Sequence, residues 1–159
     1  SVTGDPDGSP MKVGVGIADV MCGMYAAVSI LAAVRHRDEA GKSGSVGNGQ
    51  HIDLSLLDSQ AAWLINAGSN YLTSGENQHR FGNAHPNIVP YQVFQTCDSF
   101  FVLAVGNDIQ FRKFCEFAGA PKLPKDSRFK LNSDRVKNRK IIVPMLDELT
   151  QRNSTQFWL

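Results

Sequence analysis

Three observations predict a mixed α/β fold for this chain. Val20, Met24, Ala27, Val28, Leu31 and Val34 place apolar side chains at helical spacing through residues 19–37. Two β-rich runs, "VPYQVFQT" and "FFVLAVG", flank "CDS", so residues 89–106 should form an antiparallel hairpin turning at Cys97-Asp98-Ser99. Helical spacing then returns from Ile109 onward.

Taken in order, residues 1–12 read as loop, because Gly4, Pro6, Gly8 and Pro10 fix or free the backbone in ways that helices and ladders reject. The helix 19–37 ends in Arg35, His36 and Arg37, cations where the macrodipole favours them. "DEAGKSGSVGNGQ", residues 38–50, is rich in turn formers and reads as loop. Ile52, Leu54 and Leu56 alternate, predicting a strand, and helical spacing takes over from Leu56 to Leu72. After Gly75 comes the polar "ENQHRFGNAHPN". The expected organisation is therefore residues 1–74 as one part, 75–88 as a linker and loop, and 89–159 as a second part. Asn107 or Asp108 can cap a helix from Ile109 to Ala118. Ser133 should cap another running from Asp134 toward Arg152, with a kink or break near residues 140–144 on account of Pro144. The opening "SVTGDPDG" and the closing "STQFWL", where Ser154 resembles the cap of one more apolar helix, read as the ends of an internal piece of a longer chain.

Composition excludes several classes. At 42% apolar and 19% charged residues, 159 residues suffice for a globular, soluble fold with a real core. The formal charge is +1, with no Lys/Arg block interleaved with aromatics, so no nucleic acid or membrane partner is expected. Residues 20–34 are interrupted by Gly23 and Ser29 and run into Arg35, which reads as short of the roughly 20 apolar residues of a membrane span. Cys22, Cys97 and Cys115 form no CxxC pair and read as reduced packing residues of an intracellular protein. His36, His51, His79 and His85 show neither HExxH nor HxxH spacing, so no metal is expected. The sequon Asn153-Ser154-Thr155 is discounted on the same redox argument.

The residue that asks for chemistry is Asp19, at the start of the apolar helix. By itself it reads as a cap, since Asp is among the best residues for a helix start. A carboxylate there is also favoured in its charged form by the helix dipole and can act as a nucleophile. Asp53 and Asp58, on the expected strand and at the following helix start, read as structural. His85, in "GNAHPNI", reads as a surface loop residue until a partner is found for it.

Five ordered blocks change these odds: "VGIADVMCGMYAAVSILAAVRHR", "GNGQHIDLSLLDSQ", "GNAHPNIVPYQVFQT", "AVGNDIQFRKFC" and "DSRFKLNSDRVKNR". Together they resemble the family III CoA-transferases, which include formyl-CoA, carnitine and dicarboxylate CoA-transferases and the α-methylacyl-CoA racemases. "NIVPYQVF" and "GNDIQF" are most similar to the succinate–hydroxymethylglutarate or glutarate CoA-transferase branch. The resemblance implies that Asp19 is the nucleophile and Gly23 the glycine of an "xDxxxG" stretch. It also implies the end of a Rossmann-like large domain within residues 1–74, most of a small α/β domain within residues 89–159, and two chains interlocked as a homodimer. The substrates are then an acyl-CoA and a carboxylic acid, with CoA as co-substrate and no permanently bound cofactor, in the cytoplasm or the mitochondrial matrix. Gly82, Asn83, His85 and Asn87 occupy the place of the glycine-rich active-site loop of the formyl-CoA transferases. His85-Pro86-Asn87 there replaces consecutive glycines, which speaks against formyl or oxalate transfer. Two other readings stand beside transfer: a racemase, whose partner His would precede Ser1, and an inactive scaffold that binds CoA.

Overall fold

The computed structural model describes residues 2–42 and 47–159; the middle of the predicted loop 38–50 lies outside them. The chain divides into two compact units, one of residues 11–78 and one of residues 1–10 with 79–159.

The first of these is helical. Helix α1 runs Ile17–Lys42, α2 Leu56–Ala62 and α3 Asn66–Ser74. Helix α1 starts two residues before Asp19 and continues past the predicted end at Arg37. Its last turns hold Asp38, Glu39 and Ala40, and Arg35 pairs with Glu39 one turn on at 3.0 Å, a spacing that supports a helix. Alternation at Ile52, Leu54 and Leu56 does not produce the expected strand; residues 50–55 are extended or irregular, ending at Ser55, whose Oγ accepts the Asp58 N–H and caps α2. A strand needs a neighbour to complete its ladder, and no described residue pairs with this segment. The helical run expected from Leu56 to Leu72 breaks at residues 63–65, where Ile65 takes a φ of 43° that a β-branched residue rarely adopts.

Helix α1 also corrects the reading of residues 20–34. It holds an 18-residue window of mean hydropathy 1.9, and by length and composition it is long and apolar enough to cross a membrane. Gly23 and Ser29 lower the hydropathy too little to prevent this. None of its residues is buried in its own unit, and a helix apolar on all sides belongs inside a larger core or a bilayer.

The second unit carries a core. Strands β1 (Tyr91–Gln95) and β2 (Phe100–Ala104) pair antiparallel with Tyr91 opposite Ala104 and Gln95 opposite Phe100, which is the predicted hairpin. Alternation decides its faces: Phe94 is buried with Phe101 and Leu103 against it, while Phe100 and Val102 face outward. Helix α4 (Asp108–Phe117) is capped by Asn107, whose Oδ1 accepts the Gln110 N–H at 2.9 Å, and it buries Phe111 and Cys115 one turn apart. Burial pushes the Cys115 thiol up to about 12. Cys115 is thus the packing residue expected, whereas Cys97 is exposed and Cys22 half-buried.

A 3-10 turn (Leu123–Lys125) leads to α5 (Asn132–Lys137) and α6 (Arg139–Thr150), whose Ile142 and Leu146 complete the core with Phe129. Ser133 is not the cap of α5: the helix begins a residue earlier, and the Asp134 carboxylate reaches back to accept the Leu131 N–H at 3.2 Å. The break falls at Asn138, before the expected position, and α6 runs straight through Pro144. Proline leaves the carbonyl of the residue four before it without its N–H partner; that residue is Lys140, which is exposed to water. Ser154 precedes the short α7 (Thr155–Trp158) as expected.

Candidate functional site

Asp19 is the third residue of α1, with Gly16 just before the helix, so it is not the cap that the sequence predicted. The Ile17 N–H donates to the Val15 carbonyl at 2.9 Å and the Val20 N–H to the Gly16 carbonyl at 3.2 Å, which starts the helix around a glycine. The carboxylate folds back over that glycine: a Cβ on Gly16 would lie 3.0 Å from Asp19 Oδ2. Amides of a first helical turn have no partners within the helix and carry the positive end of its dipole. One turn further, Gly23 shares the face of Asp19, and a Cβ there would meet nothing within 4 Å. Asp19 is exposed, and glycines on both sides leave its carboxylate in an open notch. Helix α2 lies against the same turns, where Ile17, Ala18, Met21, Gln60 and Trp63 line a small cavity.

Gly82, Asn83, His85 and Asn87 belong to the other unit. Gly82 takes φ 58°, open to glycine at no steric cost, and its N–H donates to the Gly4 carbonyl at 3.2 Å; Asn83 follows, exposed in the same turn. The His85 N–H donates to the Tyr91 carbonyl at 2.8 Å, and its ring stacks on Tyr91 with centroids 5.3 Å apart. His85 Nδ1 accepts the Asn87 N–H at 3.1 Å, which assigns the proton of the neutral ring to Nε2. Burial, and then the charge of Arg139, lower the His85 pKa from its usual 6.5.

Three polar side chains hold this loop from below. Asn132 donates to the Asn87 carbonyl at 2.8 Å and accepts the Val89 N–H at 3.1 Å. Arg135 is wholly buried; its Nε donates to the Val89 carbonyl at 2.6 Å and its Nη1 to Phe129 at 3.1 Å, and the guanidinium lies 4.2 Å from the Phe111 ring centroid. Its Nη2 stands 3.0 Å from Asp108 Oδ1, an ion pair off the hydrogen-bond direction. Arg139 Nη2 donates to the carbonyls of His85 at 2.6 Å and Pro86 at 2.9 Å.

All residues 1–159 match the profile of CoA-transferase family III. The chain belongs to that family. It is 48% identical over 87% of its length to the succinate–glutarate CoA-transferase of Agrobacterium fabrum, and 37% identical over 99% to the succinyl-CoA:glutarate CoA-transferase of Homo sapiens. An acetyl-CoA:oxalate CoA-transferase of Acetobacter aceti is 35% identical over 99% of the chain. Among solved structures, a CaiB/BaiF family protein from Brucella suis is 41% identical with a TM-score of 0.65, covering 98% of this chain. The chain spans 33% and 35% of the lengths of the first two relatives and 39% of that structure.

Within this member of family III, the sequence singled out Asp19 and the loop 82–88 as candidates but not the residues that hold the loop. Asn132 and Arg135 stand at i and i+3 on α5, and Arg139 opens α6 just past the break at Asn138. Asp58 sits in the first turn of α2, and Asp53 in the irregular segment before it. Among the described residues no three His, Cys, Asp or Glu side chains gather as a metal-binding group.

Proposed function

We propose that this chain is a piece of a CoA-transferase that passes CoA from a dicarboxylyl-CoA, such as succinyl-CoA, to a carboxylic acid, with Asp19 as the nucleophile. The observation that carries this is the exposed Asp19 carboxylate at a helix start, flanked by Gly16 and Gly23, in a chain of CoA-transferase family III. The names of the relatives from Agrobacterium fabrum and Homo sapiens support a dicarboxylate donor.

The reaction balances without a metal or an external base. An Asp19 oxygen adds to the donor thioester carbonyl and expels CoA thiolate, giving a mixed anhydride. The thiolate adds to the Asp19 carbonyl, forming an aspartyl-CoA thioester and releasing the donor's acid. The acceptor carboxylate attacks that thioester, again expelling thiolate and forming a second anhydride. Thiolate then attacks the acceptor's carbonyl, and Asp19 leaves as carboxylate. Each step passes through an oxyanion, which first-turn amides and dipole stabilise. The loop bearing Gly82, Asn83, His85 and Asn87, which stands in the sequence where the formyl-CoA transferases carry their active-site loop, serves the same reaction, with neutral His85 offering Nε2–H to an oxyanion or carboxylate.

The remaining two thirds of such a protein would complete the large domain and supply the contacts to the CoA phosphates. Together with the second chain of an interlocked homodimer they would cover helix α1, which accounts for its exposed apolar surface without a membrane. Its workplace is the cytoplasm or the mitochondrial matrix, where CoA esters are found and Cys22, Cys97 and Cys115 stay reduced.

Incubating the full-length protein with succinyl-CoA should leave CoA joined to the peptide containing Asp19, detected by mass and released by hydroxylamine, and Asp19→Asn should abolish the adduct. Tight CoA binding with no adduct and no exchange would favour an inactive scaffold. Proton exchange at the α-carbon of a 2-methylacyl-CoA would favour a racemase. A monocarboxylyl-CoA such as acetyl-CoA as the preferred donor would overturn the dicarboxylyl reading alone.

A further inference from the structure

We infer that Arg139 is a positioning residue for CoA transfer, fixing the backbone of the loop at His85 and Pro86 so that the His85 ring keeps one orientation; this rests on the reading that the loop serves the reaction. One Arg139 nitrogen, Nη2, donates to both carbonyls, at 2.6 and 2.9 Å. Two consecutive carbonyls converging on one donor fix the peptide plane between them, and that plane sets the direction of the His85 side chain. The far side of the ring is set by Tyr91, which stacks on it and accepts its backbone N–H. Asn87 fixes the tautomer through Nδ1.

What separates Arg139 from a structural arginine is its setting. Arg135, a turn earlier, is wholly buried and has Asp108 as counter-charge. Arg139 is only half-buried, and among the described residues no carboxylate lies within ion-pair distance of it. Its guanidinium lies 5.3 Å from the Phe81 ring centroid, at the start of the loop, and its Nη1 is buried without a hydrogen-bond partner. Its polar contacts thus go to the loop, and its charge lowers the pKa of the ring it positions.

The test uses the full-length protein, with Arg139→Ala, Arg139→Lys and Arg139→Met, where Met keeps an apolar stem against Phe81. Misplacing a reacting group by about 1 Å costs up to roughly 10²-fold, so Arg139→Ala should lower kcat by about 10- to 100-fold with a smaller change in KM. Arg139→Lys should recover part of that loss, because an ammonium can still donate to both carbonyls, and added guanidinium ion should rescue Arg139→Ala. Hydrogen exchange at residues 84–89 should speed up in Arg139→Ala and not in Arg139→Lys. If Arg139→Ala does not fold, Arg139→Met with the same readouts replaces it. Wild-type kcat in a folded Ala or Met variant, or unchanged exchange at residues 84–89, overturns the proposal. His85→Ala separates the two readings. A slowed His85→Ala beside an unaffected Arg139→Ala removes the role of Arg139 alone. Wild-type rates in both His85→Ala and Asn87→Ala remove the role of the loop, while faster exchange in Arg139→Ala would still show the anchor.

Discussion

The two units of this chain differ in what they do with their apolar residues. In residues 79–159, the hairpin, α4 and α6 supply one another's partners, and Phe94, Phe111, Ile142 and Leu146 are all but sealed from water. Residues 11–78 contain the more apolar helix, yet Leu31 is 70% and Val28 66% exposed. The backbone hydrogen bonds of α1 close within the helix itself, whereas most of a helix's stability in a protein comes from the packing of its faces. A core depends on which chain comes to meet it. Apolar content states how much surface must be covered and leaves open what covers it.

The comparison can be broken or sharpened in four ways. The largest effect belongs to the helical unit and concerns rate: in the full-length protein Asp19→Asn should lower CoA transfer by about 10⁴-fold or more, as loss of a nucleophile does. Stability should change little, since removing a charge from a helix start costs about 0.3–1 kcal/mol; rate and melting temperature measured on one sample decide it. In the compact unit the order is reversed. Arg135→Ala leaves the carbonyls of Val89, Phe129 and Lys130 without their donor and Asp108 without its counter-charge, and each buried polar group left unsatisfied costs about 1–3 kcal/mol, readable by urea unfolding.

Leu31→Ala addresses the contrast directly. In the 159-residue chain it should change stability by less than about 0.5 kcal/mol, as at an exposed site. In the full-length protein it should cost about 2–5 kcal/mol if α1 is an interior helix. Equal small effects in both would mean that the helix faces something other than protein. The smallest effect is a titration. His85 has its pKa lowered by burial and by Arg139; the folded state therefore resists protonating it, and stability present above the unfolded value is lost as pH falls through and below it. An NMR titration should place the His85 midpoint below 6.5, and Arg139→Met should move it part of the way back.

Legibility followed the range of the interactions. The hairpin and α4 were readable because alternation at Phe94, Phe101 and Leu103, and Asn107 before an apolar helix, act within a few residues. Pro144 predicted a kink or break near residues 140–144, and the break falls just before that stretch, at Asn138, with Pro144 inside α6. The strand expected at residues 50–56 did not form: alternation was present, but a ladder is made by two segments and only one is described here. At the candidate site Asp19 was legible from its helix start, although it stands three residues past Gly16 and not at the cap. Asn132, Arg135 and Arg139 were not singled out, because a polar residue bonding to distant backbone looks in sequence like any solvated one.

Arg80 donates to the carbonyls of Asp5 at 3.0 Å and Gly8 at 2.6 Å, and Gly82 closes on Gly4. The chain therefore leaves the compact unit after Pro10 and rejoins it at His79 beside the point of departure. Residues 11–78 are an excursion fastened at both ends, the arrangement of one domain inserted into another. Evolution or an engineer could lengthen, shorten or exchange that excursion at a small entropic cost, since closing a loop costs only about 0.6 kcal/mol more for each doubling of its length. Asp19 and the loop 82–88 would nonetheless travel apart in any such exchange, because Asp19 lies in the excursion and the loop in the compact unit.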